Sequence, residues 1–322
     1  MTIKWGVVGA SGIAHRRTMS ALNEAQNNEL YALMVRDMDR AKKLAQEHGA
    51  PVYYDSVDAI LSDPDIDAAY IATPVYLHCD HVIQAAEKGK HVLCEKPMAM
   101  NVKECQSMID ACRDKDVQLH ICFLMRYHPH YQRIRQIIAH GEIGQVIDAR
   151  SSLMKWYSID QGGWRRDPAR AGGGVLMDLG SHIIDLLSYI LGEASQVTAF
   201  TDSRINGWKV EETGTVMIKM KGGAHATAFS SFVTPQGGTI MEIYGSKGSL
   251  AVSGGKLNIT IGDKKREEQS SAGNLYKPLF EHFHKCLQGE AEPISPGTAG
   301  LENIRIITSA YESVRTNSTI SC

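Results

Sequence analysis

The segment "IKWGVVGASGIAHRR", Ile3 to Arg17, runs from an apolar stretch through a glycine-containing turn into a helical pattern. This is the order of a strand, a phosphate-binding turn and a helix whose N-terminus holds a pyrophosphate. The turn follows the pattern G-x-G-x-x-G/A, with a serine in place of the middle glycine and an alanine in place of the last. The predicted cofactor-binding residues in it are Gly9, Ser11, Gly12, Ile13 and Ala14. The alternative is a tight turn that holds no ligand.

The alternation of strand and helix continues to about residue 123. Six short apolar runs, "IKWGVV", "LYALMV", "PVYY", "AAYIAT", "HVLC" and "QLHICF", are separated by amphipathic helical patterns. Parallel strands need long crossover connections, and helices in those connections cover both faces of the sheet. The pattern predicts an α/β Rossmann domain, a doubly wound parallel sheet, over residues 1–123.

The sequence pattern changes after about residue 141. Strands of alternating apolar and polar residues are separated by turn signals such as "KGGA", "PQGG" and "GSKG". This pattern predicts a C-terminal α+β domain over residues 124–322 with a large open, mainly antiparallel sheet, and helices near 175–191, 275–288 and 299–315. An open sheet face without helices is typical of a subunit interface, so we expect a homodimer or homotetramer that forms through this face.

The composition of the 322-residue chain is that of a soluble globular protein, with 43% hydrophobic and 22% charged residues. A formal net charge of -2 and a sequence pI near 6.7 provide no field for nucleic acid, which favours a small neutral partner. Seven cysteines without a CxxC pair or zinc spacing favour reduced thiols. No signal-like N-terminus and no apolar run of about 18 residues is found, so we expect a cytoplasmic protein without a membrane partner.

The end of the second strand, "LYALMVRDMDR", bears on the choice of cofactor. An acid about 20 residues after the glycine turn binds the ribose of NAD, whereas arginine accommodates the 2′-phosphate of NADP. Val35 stands where the acid is expected, and Arg36 and Arg40 follow it. The two guanidinium groups favour NADP. Asp37 keeps NAD possible, and the alternative for both arginines is that they are solvated charges at a helix start.

The segment "GGGVLMDLGSHIIDL", Gly172 to Leu186, places Asp178, His182 and Asp185 four and then three residues apart among apolar neighbours. On an α-helix these three side chains share one face. Histidine suits acid–base chemistry near neutral pH, and a carboxylate one turn away can orient its ring. The alternatives are a metal site, a helix cap with a core histidine, and a structural hydrogen bond for Asp185. No further cluster of Cys or His completes a metal shell, so no metal is predicted.

The run "HVLCEKPM" ends a buried strand in Glu95, Lys96 and Pro97. Charged residues directly beyond the carboxyl end of a parallel strand lie where open α/β sheets bind ligands. Beside a substrate oxygen, the Lys96 ammonium group would stabilise a developing alkoxide. A solvated surface charge is the alternative for a lysine in this position.

Together, "GASGIA", "EKP" and "GGGVLMDLGSHIIDL" resemble the ordered motifs of the Gfo/Idh/MocA family, which includes glucose-fructose oxidoreductases and inositol dehydrogenases. The resemblance covers essentially the whole chain. It implies a Rossmann domain that carries the cofactor, a second domain whose open sheet often serves oligomers, and hydride transfer to or from sugars and cyclic polyols. It places the catalytic residues at Lys96, Asp178 and His182. The stretches "VRDMDR" and "GAS" resemble the NADP-using branch that contains anhydrofructose reductase and dihydrodiol dehydrogenase.

Further ligand contacts are predicted in loops. The cofactor set is completed by Thr73, Pro74, His78, Glu95 and Lys96. The substrate-binding set comprises Arg126, Tyr157, Trp164, Arg165, Asp178 and His182. Surface solvation is the alternative for each loop residue of the substrate set. Many relatives have "GFNxRF" where this chain has "CFLMRY", so Leu124 removes one polar group and the identity of the substrate stays open.

The sequence thus predicts an NAD(P)-dependent oxidoreductase, with NADP favoured, that interconverts a secondary alcohol and a ketone on a sugar, sugar derivative or cyclic polyol. It does not say whether Lys96 or His182 carries the proton. The alternatives are an NAD-dependent inositol or polyol dehydrogenase, a redox-assisted glycosidase, and a non-catalytic protein that senses sugar or NADP. The intact Lys96, Asp178 and His182 argue against the sensor, because binding alone needs no acid–base group.

Overall fold

The computed structural model describes residues 1–158 and 163–322. By its internal contacts the chain forms two compact units. The first comprises Met1–Leu124 and Gly273–Leu301, and the second comprises Met125–Ala272 and Glu302–Cys322. The sequence analysis assigned all of residues 124–322 to the second domain, whereas the segment Gly273–Leu301 packs with the first unit.

Residues 1–124 are all described, and they contain a six-stranded sheet in which every pairing is parallel. Its strands are β1 Ile3–Val8, β2 Asn28–Met34, β3 Val52–Tyr54, β4 Ala68–Ile71, β5 His91–Cys94 and β6 Leu119–Ile121. The crossovers contain the helices α1 Met19–Glu24, α2 Met38–His48, α3 Val57–Leu61, α4 His78–Glu87 and α5 Val102–Asp114. The strand order β3-β2-β1-β4-β5-β6 is that of a doubly wound dinucleotide-binding sheet, which confirms the predicted fold class of this part.

The turn after β1 requires a glycine. Gly9 has a φ of +87°, and a Cβ on it would lie 2.9 Å from Cγ2 and 3.0 Å from the backbone nitrogen of Thr73. The N–H groups of Gly9 and Ala10 donate to the carbonyl oxygen of Met34 at 3.1 and 3.0 Å. The ends of β1, β2 and β4 therefore approach each other closely at the edge where open α/β sheets bind ligands.

The described residues of the second unit form one sheet. Its strands are β7 Val146–Met154, β8 Ala194–Asp202, β9 Thr213–Met220, β10 His225–Ser231, β11 Thr239–Gly245, β12 Gly248–Ser253, β13 Lys256–Ile261, β14 Lys264–Gln269 and β15 Ile320–Ser321. They follow the order β14-β13-β12-β11-β7-β10-β9-β8-β15. Only the β7–β10 pairing among these described strands is parallel, so the predicted mainly antiparallel sheet is confirmed. The sequence pattern does not predict β14, "KKREEQ", because a charged edge strand shows no apolar alternation.

One face of this sheet packs on a helix. The remaining helices are α6 Pro129–Ala139, α7 Pro168–Ala171, α8 Ser181–Leu191, α9 Tyr276–Leu287 and α10 Gly297–Thr316. Helix α8 packs on β7 and β10, whose inward side chains, such as Ala149 and Ala228, are small and buried. The boundary between the two units falls within α10.

Among the described residues, one helical stretch, Pro168–Leu191, has the length and apolar composition of a membrane span, with a mean hydropathy of 1.4 in its window. The sequence analysis found no such run. In the structure 72% of the window is buried inside the protein, as in the core helix of a soluble protein. Length and composition are therefore weak evidence for a membrane span here.

Candidate active site

In the first unit, the glycine turn leads directly into a helix. The Ala14 N–H donates to the Ser11 carbonyl oxygen at 3.0 Å, so the chain begins to coil at the turn itself. The first segment, Ala14–Thr18, is a π-helix, a wide turn that is frequent at functional sites. Gly12 has a φ of +52°, and a Cβ on it would meet no atom within 4 Å. An open helix N-terminus beside a left-handed glycine fits the pyrophosphate of a dinucleotide.

The predicted arginines lie just beyond the end of β2. Both Arg36 and Arg40 are exposed. Asp37, between them, is the N-cap of α2 and accepts a hydrogen bond from the Arg40 N–H at 3.0 Å. The Asp37 carboxylate thus has a structural function, and the positive end of the helix offsets part of its charge. The two guanidinium groups are accessible at the strand end.

The loop after β4 contains Thr73, Pro74 and His78. Thr73 and Pro74 are half-buried. His78 is 1% exposed, and its two ring nitrogens lie 2.8 Å from the Thr73 carbonyl oxygen and 3.0 Å from the Pro97 carbonyl oxygen. Burial lowers the pKa of His78. The His78 side chain thus joins the loops that follow β4 and β5, and its predicted cofactor contact stays a prediction.

Glu95 and Lys96 follow β5 and differ in their surroundings. The Glu95 carboxylate is buried and accepts hydrogen bonds from the hydroxyl groups of Tyr70 and Tyr276 at 2.7 and 2.5 Å. Its other oxygen accepts from the backbone N–H of Lys96 at 3.2 Å. Burial and the charge of Glu95 raise the pKa values of both tyrosines well above the ordinary value, so both hydroxyl groups remain donors. Glu95 therefore anchors the backbone of the half-buried Lys96, and the cofactor contact predicted for Glu95 stays a prediction.

In the second unit, three glycines precede the helix of the motif "GGGVLMDLGSHIIDL". Gly172 ends α7 with a φ of +73°. A Cβ on Gly173 would overlap the Tyr311 hydroxyl group, and one on Gly174 would overlap the Glu211 carbonyl oxygen. All three positions thus require glycine for structural reasons: Gly172 adopts a left-handed conformation, and Gly173 and Gly174 lie too close to neighbouring atoms for a side chain.

Glu211 fixes the start of this helix. Its carboxylate accepts hydrogen bonds from the N–H groups of Gly174 and Leu176 at 2.9 and 3.0 Å, and from the Tyr311 hydroxyl group at 2.7 Å. Burial raises the pKa of Glu211. A carboxylate in this place satisfies N–H groups that the first helical turn leaves without intrahelical acceptors.

Asp178 and His182 lie on the accessible side of the helix. Between residues 175 and 187 these two side chains are half-buried and all others are buried. Asp178 belongs to a π-helical segment, Leu176–Gly180, and its Oδ2 accepts a hydrogen bond from Arg165 Nε at 3.2 Å. The Arg165 guanidinium group lies 4.6 Å from the centre of the Trp164 ring. The structure thus brings predicted residues together: Trp164 contacts Arg165, and Arg165 donates to Asp178. His182 lies one helical turn after Asp178 on the same accessible side.

Asp185 does not share this accessible side. It is 1% exposed and forms an ion pair with Arg126, whose Nε lies 3.1 Å from both carboxylate oxygens and whose Nη2 lies 2.7 Å from Oδ1. Burial raises the pKa of Asp185 to about 6, although Arg126 opposes the shift. The π-helical segment rotates less per residue than an α-helix, so Asp185 does not return to the face of Asp178. Arg126, a member of the predicted substrate-binding set, is 7% exposed and is the partner of Asp185; its substrate contact stays a prediction.

Tyr157 packs beside the same helix. Its ring meets the Phe232 ring edge-on at 5.0 Å, within an apolar cluster that includes Val175, Leu179 and Trp208. Val175 and Leu179 lie on either side of Asp178 in the sequence of the helix. Tyr157 is half-buried, so part of its ring is accessible next to the motif.

Sequence reasoning missed the residues that hold the site backbone. Tyr276 contacts Glu95 across 181 positions, and Tyr311 contacts Glu211 across 100 positions. A single sequence carries no signal for such pairs. The consecutive acids Glu211 and Glu212 before a strand were a visible clue, because charged pairs are unusual in a sheet that covers a core.

Comparisons with known proteins agree with the fold of both units. A family model described as "Oxidoreductase family, NAD-binding Rossmann fold" matches residues 3–123, and one described as "GFO/IDH/MocA C-terminal domain" matches residues 131–251. The 1,5-anhydro-D-fructose reductase of Ensifer adhaerens is 30% identical over 307 residues, 92% of each chain. The chain belongs to the GFO/IDH/MocA oxidoreductase family.

Two further relatives of this family member span nearly its whole length. The D-xylose 1-dehydrogenase (NADP(+)) 2 of Haloferax volcanii is 30% identical over 98% of each chain. A crystal structure of aldose-aldose oxidoreductase from Caulobacter crescentus, complexed with glycerol, has a TM-score of 0.92 at 26% identity and covers all of both chains. The predicted family and enzyme class are confirmed: the protein is an oxidoreductase of an NAD(P)-dependent sugar oxidoreductase family.

Replacement of Arg126 by Met leaves the Asp185 carboxylate buried without its counter-charge. We expect Arg126→Met to lower the free energy of unfolding by about 3–5 kcal/mol, and the double variant Arg126→Met/Asp185→Leu to regain most of it. Urea denaturation measures both. If Arg126 bound substrate, the double variant would fold normally and lose substrate affinity, which would contradict the structural role.

The same pair predicts a dependence on pH. Because the pKa of Asp185 is raised from 3.8 in the unfolded chain to about 6, the associated stability is fully present at low pH and is lost as pH rises through about 6. The unfolding free energy of the wild type should therefore fall relative to that of the double variant over this range. An unchanged difference across pH would contradict the assignment.

Proposed function

We propose that the protein transfers a hydride between NADP and a secondary alcohol or ketone of a sugar, sugar derivative or cyclic polyol. The observation that carries this proposal is the pair Asp178 and His182, two ionisable side chains on the accessible side of an otherwise buried helix. An apolar core helix has no structural need for them there. The catalytic residues in this proposal are Lys96, Asp178 and His182.

Each residue has a distinct task. A bound nicotinamide ring supplies or accepts the hydride. When an alcohol is oxidised, its hydroxyl proton passes to the His182 imidazole, and reduction reverses this transfer. Asp178, itself held by Arg165, orients the ring and stabilises its protonated form. Lys96, whose backbone is anchored by Glu95, donates a hydrogen bond to the substrate oxygen and stabilises its negative charge.

Three features support the remaining parts of the proposal. Trp164 and Tyr157 offer partly accessible aromatic rings of the kind that bind sugar faces. The names of the relatives in Ensifer adhaerens and Haloferax volcanii refer to sugar substrates. All seven cysteines are free thiols, which supports the cytoplasmic location that we propose.

Substitutions at Lys96 and His182 test the chemistry. A panel of pentoses, hexoses, inositols and anhydro-ketoses with NADPH or NADP first identifies the best substrate. We then expect His182→Asn and Lys96→Met to lower kcat by about 10² or more, since a positioned acid–base group contributes about 10²–10⁴. The Kd of NADPH, measured by fluorescence titration, should change little in His182→Asn.

Two exposed residues outside the proposed site provide matched controls, His140→Asn and Lys103→Met, and both should keep the wild-type kcat. Full turnover by His182→Asn and Lys96→Met would contradict the mechanism. Cofactor binding without turnover of any substrate by the wild type would instead favour a sensor.

Cofactor choice is tested at the end of β2. We expect the wild type to have the higher kcat/KM with NADPH, and Arg36→Ala/Arg40→Ala to raise KM for NADPH at least tenfold, since hydrogen bonds to charged groups contribute about 1.5–3 kcal/mol. KM for NADH should change little, because NADH lacks the 2′-phosphate. Lys42→Ala, an exposed cation on the same helix, is the control. A higher kcat/KM with NADH in the wild type would show that NAD, not NADP, is the preferred cofactor.

We further propose a homodimer or homotetramer that forms through the open sheet face. Strand register aligns Phe200, Thr215, Phe229, Ser152 and Ile240 as successive cross-strand neighbours on this face. Phe200 is 64% exposed and Ile240 is 42% exposed. Phe200 and Ile240 are thus exposed, and the half-buried Phe229 lies between them on this face. Exposed large apolar side chains on one sheet face are typical of a surface that a second copy covers.

Sedimentation velocity tests this interface. We expect an oligomer for the wild type and dissociation to monomers for Phe200→Lys, because a charge would be buried without a partner. Ile205→Lys, at a loop residue with 62% exposure, should leave the assembly unchanged. A monomeric wild type would exclude the proposed assembly.

A further inference from the structure

Two helical segments of the first unit bring three metal-ligating side chains together. His15 Nδ1 lies 3.0 Å from His48 Nε2 and 3.9 Å from Glu47 Oε1. The ligand atoms of all three residues lie within 4.8 Å of one another. Among the described residues this is the one group of three or more His, Cys, Asp or Glu side chains with such spacing.

These distances match a tetrahedral metal ion. Two ligand atoms, each about 2.0–2.1 Å from a zinc ion at the tetrahedral angle, lie roughly 3.4 Å apart. The separations of 3.0 and 3.9 Å lie on either side of this value. The side chains are exposed or half-buried, so small side-chain movements can bring the two separations closer to this value.

The scaffold that carries the three residues is well fixed. His15 lies in the π-helical segment Ala14–Thr18, and Glu47 and His48 end α2. The Asn23 side-chain amide donates to the His48 carbonyl oxygen at 2.7 Å, which ties the end of α2 to α1. Gly49 then ends α2 in the left-handed conformation, with a φ of +75°. A fixed pair of helices keeps the ligand atoms in place before an ion arrives.

We propose that His15, Glu47 and His48 form a binding site for a divalent transition-metal ion of the Zn²⁺ type. Two imidazole groups and one carboxylate are ligands that Zn²⁺ prefers, and solvent would supply the fourth ligand on the exposed side. None of the three residues is among those assigned to catalysis, and the proposal does not depend on the proposed reaction.

Local electrostatics favour a cation in this place. The C-terminal end of α2 carries a partial negative charge, and Glu47 adds a full one. A hydrogen bond between the two histidines, with the Glu47 carboxylate as a nearby counter-charge, is the competing explanation of these contacts.

Titration with Zn²⁺ alone tests the proposal. After treatment with a chelator, the wild-type protein should bind one Zn²⁺ in isothermal titration calorimetry, and its Tm should rise with the ion because binding favours the folded state. We expect His15→Gln and His48→Gln each to weaken this binding at least tenfold, and Glu47→Gln to weaken it less. His140→Gln, at an exposed histidine elsewhere, should bind as the wild type does.

Cobalt provides a spectroscopic readout that does not rely on affinity. Co²⁺ in the proposed site should show visible absorption of a tetrahedral ion without the intense near-ultraviolet bands that thiolate ligands produce, and the His15→Gln/His48→Gln variant should lose it. Thiolate bands would place the ion at a cysteine and overturn the proposal. Stoichiometric Zn²⁺ binding that survives in the double variant, or wild-type binding no tighter than that of the variant, would overturn it as well.

Discussion

A carboxylate that leaves water must receive hydrogen-bond donors in the protein, and this constraint holds the backbone around the candidate site. Glu95 receives two tyrosine hydroxyl groups and the backbone N–H of Lys96. Glu211 receives two N–H groups of a helix start and one tyrosine hydroxyl group. The donors to Glu95 include the backbone of Lys96, a proposed catalytic residue. The donors to Glu211 include the backbone of the helix that carries Asp178 and His182. The buried acids thus position this backbone, and the accessible side chains are left for chemistry.

Much of the architecture is predictable because it is encoded in local patterns. The glycine turn, the six apolar runs and the period-two strands each depend on residues close in sequence, and the structure confirms the two sheets that they predict. The start of α2 at Met38 and the N-cap at Asp37 follow from the same short-range rules. The family motifs add the order of the elements.

The missed features depend on contacts that join distant positions. Arg126 and Asp185 are 59 residues apart, and a loop arginine looks the same in sequence whether it meets a substrate or a buried acid. His15 and His48 are 33 residues apart, so a search for metal-ligand spacing does not pair them. The segment Gly273–Leu301 packs with the first unit, and its Tyr276 supplies a hydroxyl group to Glu95. Burial decides these roles, and burial is a property of the folded chain.

The two π-helical segments explain how an apolar helix presents polar residues. A regular α-helix with the pattern "VLMDLGSHIIDL" would set Asp178, His182 and Asp185 on one stripe and compel all three to share one environment. The wide turn at Leu176–Gly180 instead lets Asp178 meet Arg165 outside the core while Leu176 and Leu179 stay buried. Asp185 then falls on the core side, where only an arginine can compensate its charge. The irregular turn therefore separates the accessible pair Asp178 and His182 from the buried structural acid Asp185. The spacing of the three residues in the sequence does not reveal this separation.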